Sequence, residues 1–144
     1  MKKIIIFIFL LISIFSHAQQ WKTNLEEAKK EAAEQQKNIL LVFSGSDWCA
    51  PCIKLDKNVW QSEVFKLEAE KNWILVKADF PKKKSNQLPP ELATSNKLLA
   101  EKYNKGGNFP LVVLLDSNGK VKGMNGFKNI SAQEYIALIH TLEK

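Results

Sequence analysis

Three short runs of almost unbroken apolar residues constrain this chain more than anything else in it: Ile39-Leu40-Leu41-Val42-Phe43, Trp73-Ile74-Leu75-Val76-Lys77-Ala78 and Phe109-Pro110-Leu111-Val112-Val113-Leu114-Leu115. A strand with one wet face alternates apolar and polar side chains, whereas a strand covered on both faces reads as a continuous apolar run. The three runs therefore predict central strands of a sheet with helices above and below it. Pro110 stands at the start of the third run, where a strand tolerates proline.

The segments between the runs carry helical spacing. Thr23 with Glu26 has the form of a capping box, and Leu25, Ala28 and Ala32 lie on one face of a helix expected over about 24–37. Pro51 suits a first helical turn, so a helix is expected from about Ala50 toward Asn58, resuming over Ser62 to Lys71 after a break near Trp60. Leu92, Leu99 and Tyr103 share the face of a helix stopped by Gly106-Gly107. Ser117-Asn118-Gly119-Lys120 reads as a hairpin turn into a short strand, Val121 to Met124, and Ser131 with Glu134 caps a last helix whose apolar face is Tyr135, Leu138, Ile139 and Leu142. The order α-β-α-β-α-β-β-α implies an α/β domain. Helix-separated strands pair in parallel and the hairpin pairs antiparallel, giving a mixed β-sheet flanked by helices on both faces.

The first eighteen residues have a different character. Met1-Lys2-Lys3 is a basic start, Ile4 to Ile12 is wholly apolar, and Ser16-His17-Ala18 resembles a small-x-small cleavage site. This is the layout of a secretory signal peptide. The run falls short of the roughly 20 residues of a membrane span, and an uncleaved anchor is the alternative. The expected organisation is thus a signal over 1–18 and one domain over 19–144, with an exported, periplasmic or secreted, location. Removing 1–18 lowers the formal charge from +6 to +4, 19 Lys against 15 acidic residues. A chain of that length still buries about two-thirds of its unfolded surface. All the basic residues are Lys, so the planar fork that grips phosphate and guanine is missing and no nucleic-acid partner is expected. Lys82, Lys83 and Lys84 read as a solvated loop, with acidic partners or a membrane surface as the sharper alternative.

The two cysteines, Cys49 and Cys52, are too few for a disulfide scaffold and stand three positions apart where a helix should begin. Unpaired N–H groups and the positive end of the helix dipole favour thiolate at the first sulfur, lowering its pKa below about 8.5. Cys49 is the expected nucleophile, and Cys52, one turn on, is placed to resolve a mixed disulfide. A purely structural disulfide is the bland alternative, although so short a loop constrains the unfolded chain little. Two thiolates could also hold Cu(I). A structural zinc site wants four ligands, and beyond the signal the soft ones are Cys49, Cys52 and His140, so no metal site is expected. His140 itself reads as a surface residue, and Trp21, Trp60 and Trp73 as core or hydrophobic clamps.

Trp48-Cys49-Ala50-Pro51-Cys52 after a buried strand, with Phe109-Pro110 opening a later one, resembles the thioredoxin superfamily. Phe43-Ser44-Gly45-Ser46-Asp47-Trp48-Cys49 is similar to secreted thioredoxin-like proteins and to soluble domains that handle periplasmic thiols. The resemblance implies a thioredoxin-like fold and thiol–disulfide oxidoreductase activity with no cofactor beyond the redox-active disulfide. It implies that Pro110 is cis and that Phe109-Pro110, with Ala50 and Pro51, lies where an extended client segment binds. Trp48 is either a rim around the sulfur or packed core. The family's buried strand acid, six positions before the first Cys, is replaced by Phe43, which leaves Lys77 without its usual partner. Asp47 and Asp79 are conceivable substitutes, although each reads more readily as a solvated or capping carboxylate; Lys77 and Asp47 are the candidates for proton-transfer support. Ala50-Pro51 lacks the His of oxidising relatives, which points to a reductase of exported disulfide-containing proteins, re-reduced by a membrane thiol transporter. No separate dimerisation region is evident, which leaves isomerase activity unsupported; a monomer is expected.

Overall fold

The computed structural model describes residues 19–144, and the expected signal peptide lies outside the described residues. Five strands form one mixed sheet in the order β1-β3-β2-β4-β5. They are β1 (Trp21–Lys22), β2 (Asn38–Ser44), β3 (Trp73–Asp79), β4 (Leu111–Leu115) and β5 (Val121–Asn125). β2 is central. It runs parallel to β3, from Asn38 opposite Trp73 to Ser44 opposite Asp79, and antiparallel to β4, from Ile39 opposite Leu115 to Phe43 opposite Leu111. β5 returns antiparallel to β4 through the expected hairpin, where Gly119 takes φ of +84°, a conformation open to glycine and strained for other residues.

The two faces of the sheet are covered by different helices, as the continuous apolar runs require. Leu40, Val42, Leu75, Val112 and Leu114 face Leu55, Val59, Trp60, Phe65, Tyr135 and Ile139. Ile39, Leu41, Phe43, Ile74, Val76 and Val113 face Leu25, Ala28, Ala32 and Tyr103. All five residues of β4 are buried, each such side chain stabilising the fold by about 1.5–3 kcal/mol over its exposed state.

The helices are α1 (Leu25–Gln35), α2 (Ala50–Leu55), α3 (Glu63–Asn72), α4 (Pro90–Tyr103) and α5 (Ala132–Thr141). α2 runs on as a π-helical turn over Asp56–Trp60, so the break expected near Trp60 is a widening of the helix followed by a restart capped by Ser62. The Ser131–Glu134 capping box is present as expected. Three expectations are corrected. α1 is capped not by Thr23 but by Asn24, whose side chain accepts from the N–H groups of Glu26 and Glu27. α4 ends at Tyr103, before Gly106-Gly107, because the Asn104 and Asn108 side chain and backbone groups bond one another and close the turn. Trp21–Lys22, given no strand from sequence, pairs with Leu75 and Val76 at the free edge of β3.

Candidate active site

Register brings three strand ends to one edge of the sheet. Ser44 ends β2 opposite Asp79, which ends β3, while Leu111 begins β4 opposite Phe43. The loop after β2, the segment after β3 and Pro110 just before β4 therefore meet where α2 starts. The Phe109–Pro110 bond is cis, as the family resemblance implied, and Pro110 is buried.

Cys49 and Cys52 are joined as a disulfide, 5% and 3% exposed. Cys49 is the N-cap of α2, its Sγ accepting from the N–H of Cys52 at 3.3 Å. The Cys52 Sγ accepts from the N–H of Gly45 at 3.5 Å. Once the pair is reduced, such donors favour sulfur as thiolate. Ala50 and Pro51 form the exposed first turn of α2, where Pro51 forfeits no helical hydrogen bond.

Trp48 is at once packed and partly exposed. Its indole is 38% exposed, packs edge-on against Phe109 at 5.5 Å, and donates from Nε1 to the Phe80 carbonyl at 2.7 Å. Phe80 in turn contacts Phe109 at 5.3 Å and stacks on Phe43 at 6.5 Å, so aromatic rings run from the core to the rim beside Cys49. Gly45 lies beneath the indole, where a Cβ would stand 2.4 to 2.7 Å from the ring.

The charged residues fall into different places. The Asp47 carboxylate accepts from the N–H groups of Lys82 and Lys83 at 2.9 and 3.0 Å and from the Asn86 side chain at 3.0 Å. The Lys82 N–H bond foremost, then those of Asn86 and Lys83, hold its pKa below the ordinary carboxylate value against partial desolvation. Asp79 is engaged by the N–H and hydroxyl of Ser46 at 3.0 and 2.5 Å. Asp79 thus ties the loop before Cys49 to the end of β3, and Asp47 ties it to the segment that follows. Phe43 points into the face covered by α1 and α4, away from α2. Lys77 is not without a partner: its Nζ lies 3.3 Å from Asp56 Oδ1 and 4.8 Å from the centroid of the Trp21 ring. Asp56 lies one turn beyond Cys52 and also accepts from the Gln61 side chain.

The structure thus groups Trp48, Cys49, Ala50, Pro51, Cys52, Phe109 and Pro110 at one edge. Phe80 and Asp56 were missed from sequence, since the bonds that give them meaning, to Trp48 and Lys77, join distant segments; Gly45 was missed because only the backbone geometry brings its N–H to Cys52 and the Trp48 ring across it. Among the described residues no group of three or more His, Cys, Asp or Glu could hold a metal ion.

A family model described as thioredoxin-like matches residues 20–117. The disulfide bond reductase DsbH of Chlamydia pneumoniae is 34% identical over 125 residues, covering 87% of this chain and 73% of that protein. The thioredoxin-related protein DsbJ of the same organism is 28% identical over 95 residues, 66% of this chain but 26% of that protein. Among solved structures, a DsbH oxidoreductase superposes with a TM-score of 0.78 at 34% identity, covering 85% of this chain and 83% of that one. A disulphide isomerase from Xylella fastidiosa Temecula1 shares the fold, with a TM-score of 0.63 at 22% identity over 94% of this chain and 99% of that one. The joined sulfurs and these likenesses lend no support to a copper-binding module.

Proposed function

Because the chain belongs to the thioredoxin-like family, has its fold and is a thiol–disulfide oxidoreductase, we propose that it runs as a reductase of disulfides in exported proteins. The observation that carries this reading is the Cys49–Cys52 pair at the start of α2, with a backbone N–H on each sulfur and only Ala50-Pro51 between them. A His⁺ between the cysteines would stabilise the dithiol and make the disulfide a strong oxidant; Ala-Pro leaves the dithiol readier to give up electrons.

In the proposed cycle the Cys49 thiolate attacks one sulfur of a client disulfide. A Cys49–client S–S bond forms, the client's own S–S bond breaks, and the released thiolate takes a proton from solvent. Cys52, deprotonated, then attacks the Cys49 sulfur of the mixed disulfide, and the second client thiolate leaves and is protonated. Two electrons have passed to the client, and the enzyme is left as the disulfide of the structure. A dithiol donor must return those electrons, and a membrane thiol transporter is the proposed source. Trp48, Phe109 and Pro110 would receive the client segment. Asp47 holds the loop rather than moving protons, while Lys77, through Asp56, remains the proposed support for proton transfer at Cys52. Residues 1–18 would direct the protein to a periplasmic or secreted location.

The test is catalysed reduction of a protein disulfide by the purified protein with a small dithiol as donor. Cys49→Ser should abolish it. A Cys49→Ser/Cys52→Ser protein that worked as fast as the parent would overturn the reading.

A further inference from the structure

Lys82 stands over the indole of Trp48, its Nζ 3.8 Å from the ring centroid, and Trp48 adjoins Cys49. The chain around Lys82 is not a loose solvated loop. The Lys82 and Lys83 N–H groups and the Asn86 side chain are bonded to Asp47, and the Phe80 carbonyl holds the Trp48 indole. Lys82, Lys83 and Lys84, all exposed, are thereby fastened beside the rim of the redox pair. On α2, exposed Lys54 follows Cys52 by two positions, with its Nζ 5.9 Å from the Phe127 ring centroid.

The nearby carboxylates answer to the protein's own donors: Asp47 as above, Asp79 to Ser46, and Asp56 to Lys77 and Gln61. What faces outward is apolar surface, Trp48 at 38% and Ile53 at 47% exposed, edged by ammonium groups that have no salt-bridge partner among the described residues. Because the backbone is already fixed, a client need not order it on arrival.

We infer that this rim selects clients by charge: it favours segments in which the disulfide is flanked by an apolar side chain and by Asp or Glu. This rests on the reductase reading and names its substrate class. Fixed positive charge of this kind steers acidic partners and speeds encounter, with an effect that salt screens. Lysine supplies point charge without the directional demands of arginine, so the preference is for acidic character and not for one sequence.

The test uses two peptides, each closed by one disulfide and identical except for Glu or Lys at the positions flanking the cysteines, with a small uncharged disulfide as reference. At low ionic strength the protein should reduce the Glu peptide with kcat/KM about tenfold above the Lys peptide, the ratio falling toward one in 0.5 M salt. Lys82→Glu should cut that ratio at least threefold. Lys71→Glu, the same charge change in the last turn of α3, next to the end of β3 remote from Asp79, should leave it at the parent value. Equal rates for both peptides at low salt, or a ratio indifferent to Lys82→Glu, would overturn the inference while reduction of the small disulfide keeps the reductase reading. Reduction of none of the three would remove both.

Discussion

The indole of Trp48 lies directly across Gly45, so closely that a Cβ at position 45 would fall 2.4 Å from the ring. The same glycine donates its N–H to the Cys52 sulfur. Gly45→Ala must push the indole off its seat, breaking the bond to the Phe80 carbonyl and moving the N–H away from Cys52. Overpacking of this kind costs about 1–3 kcal/mol. The expected outcome is a lower thermal midpoint together with a changed Trp fluorescence, and a variant identical to the parent in both would show that the ring has room.

Cys52→Ser leaves Cys49 able to attack but removes the resolving thiol. Covalent complexes with disulfide-containing proteins should accumulate and be released by added dithiol, whereas Cys49→Ser should trap none. Gel electrophoresis without reductant reads this directly. Equal trapping by the two variants would contradict the assignment of Cys49 as nucleophile.

The Asp47 carboxylate fastens the 82–86 segment, and its donors keep it ionised below the usual range. A depressed folded pKa gives stability that is present above the unfolded value and lost as pH falls through the folded one. Asp47→Ala should therefore speed amide hydrogen exchange at Lys82 and Lys83 at neutral pH while leaving β2 and β4 protected. Unchanged exchange at both lysines would show that the clamp is not what orders the segment.

His140 of α5 meets two carboxylates, with Nε2 2.7 Å from Glu68 of α3 and Nδ1 2.9 Å from Glu143, whose other oxygen accepts from the Trp73 indole at 2.8 Å. A neutral ring donates from one nitrogen only, so the protonated ring fits both contacts. Desolvation works against that form, but the hydrogen bonds and charges of Glu143 and Glu68 outweigh it and raise the His140 pKa above its ordinary 6.5. A raised folded pKa gives stability that is full below the unfolded value and lost as pH rises through the folded one. Solvent screening at a site a third exposed limits it to about 1 kcal/mol or less. Denaturation of the parent and of His140→Gln should differ most near pH 6 and converge toward pH 9. A difference independent of pH would assign the effect to packing.

Lys77→Met removes the ammonium group that meets Asp56, one turn beyond Cys52. If Lys77 supports proton transfer there, the pH profile of the resolving step should shift. A parallel fall at all pH values would mark the residue as structural.

How much of this was legible in sequence depended on range. Continuous apolar runs gave the central strands, and the Cys pair after one of them gave the site. The same continuity hid which face each strand residue takes: with Val42, Phe43 and their neighbours all apolar, nothing local told that Phe43 turns away from α2, or that Lys77 would find Asp56. Thr23 and Asn24 are adjacent caps of similar strength, and only backbone geometry chose Asn24. β1 is two residues long and exists because the edge of β3 offers it partners. The roles of Asp47, Phe80 and Lys82 depend on contacts between residues more than 30 positions apart, which no local pattern records.

The central claim, that the pair gives electrons to its clients, is tested most directly by the reduction potential of Cys49–Cys52, measured by equilibration against a thiol redox buffer. A reductase requires a value near or below about −250 mV; a value near −120 mV would make the protein an oxidant and contradict the claim.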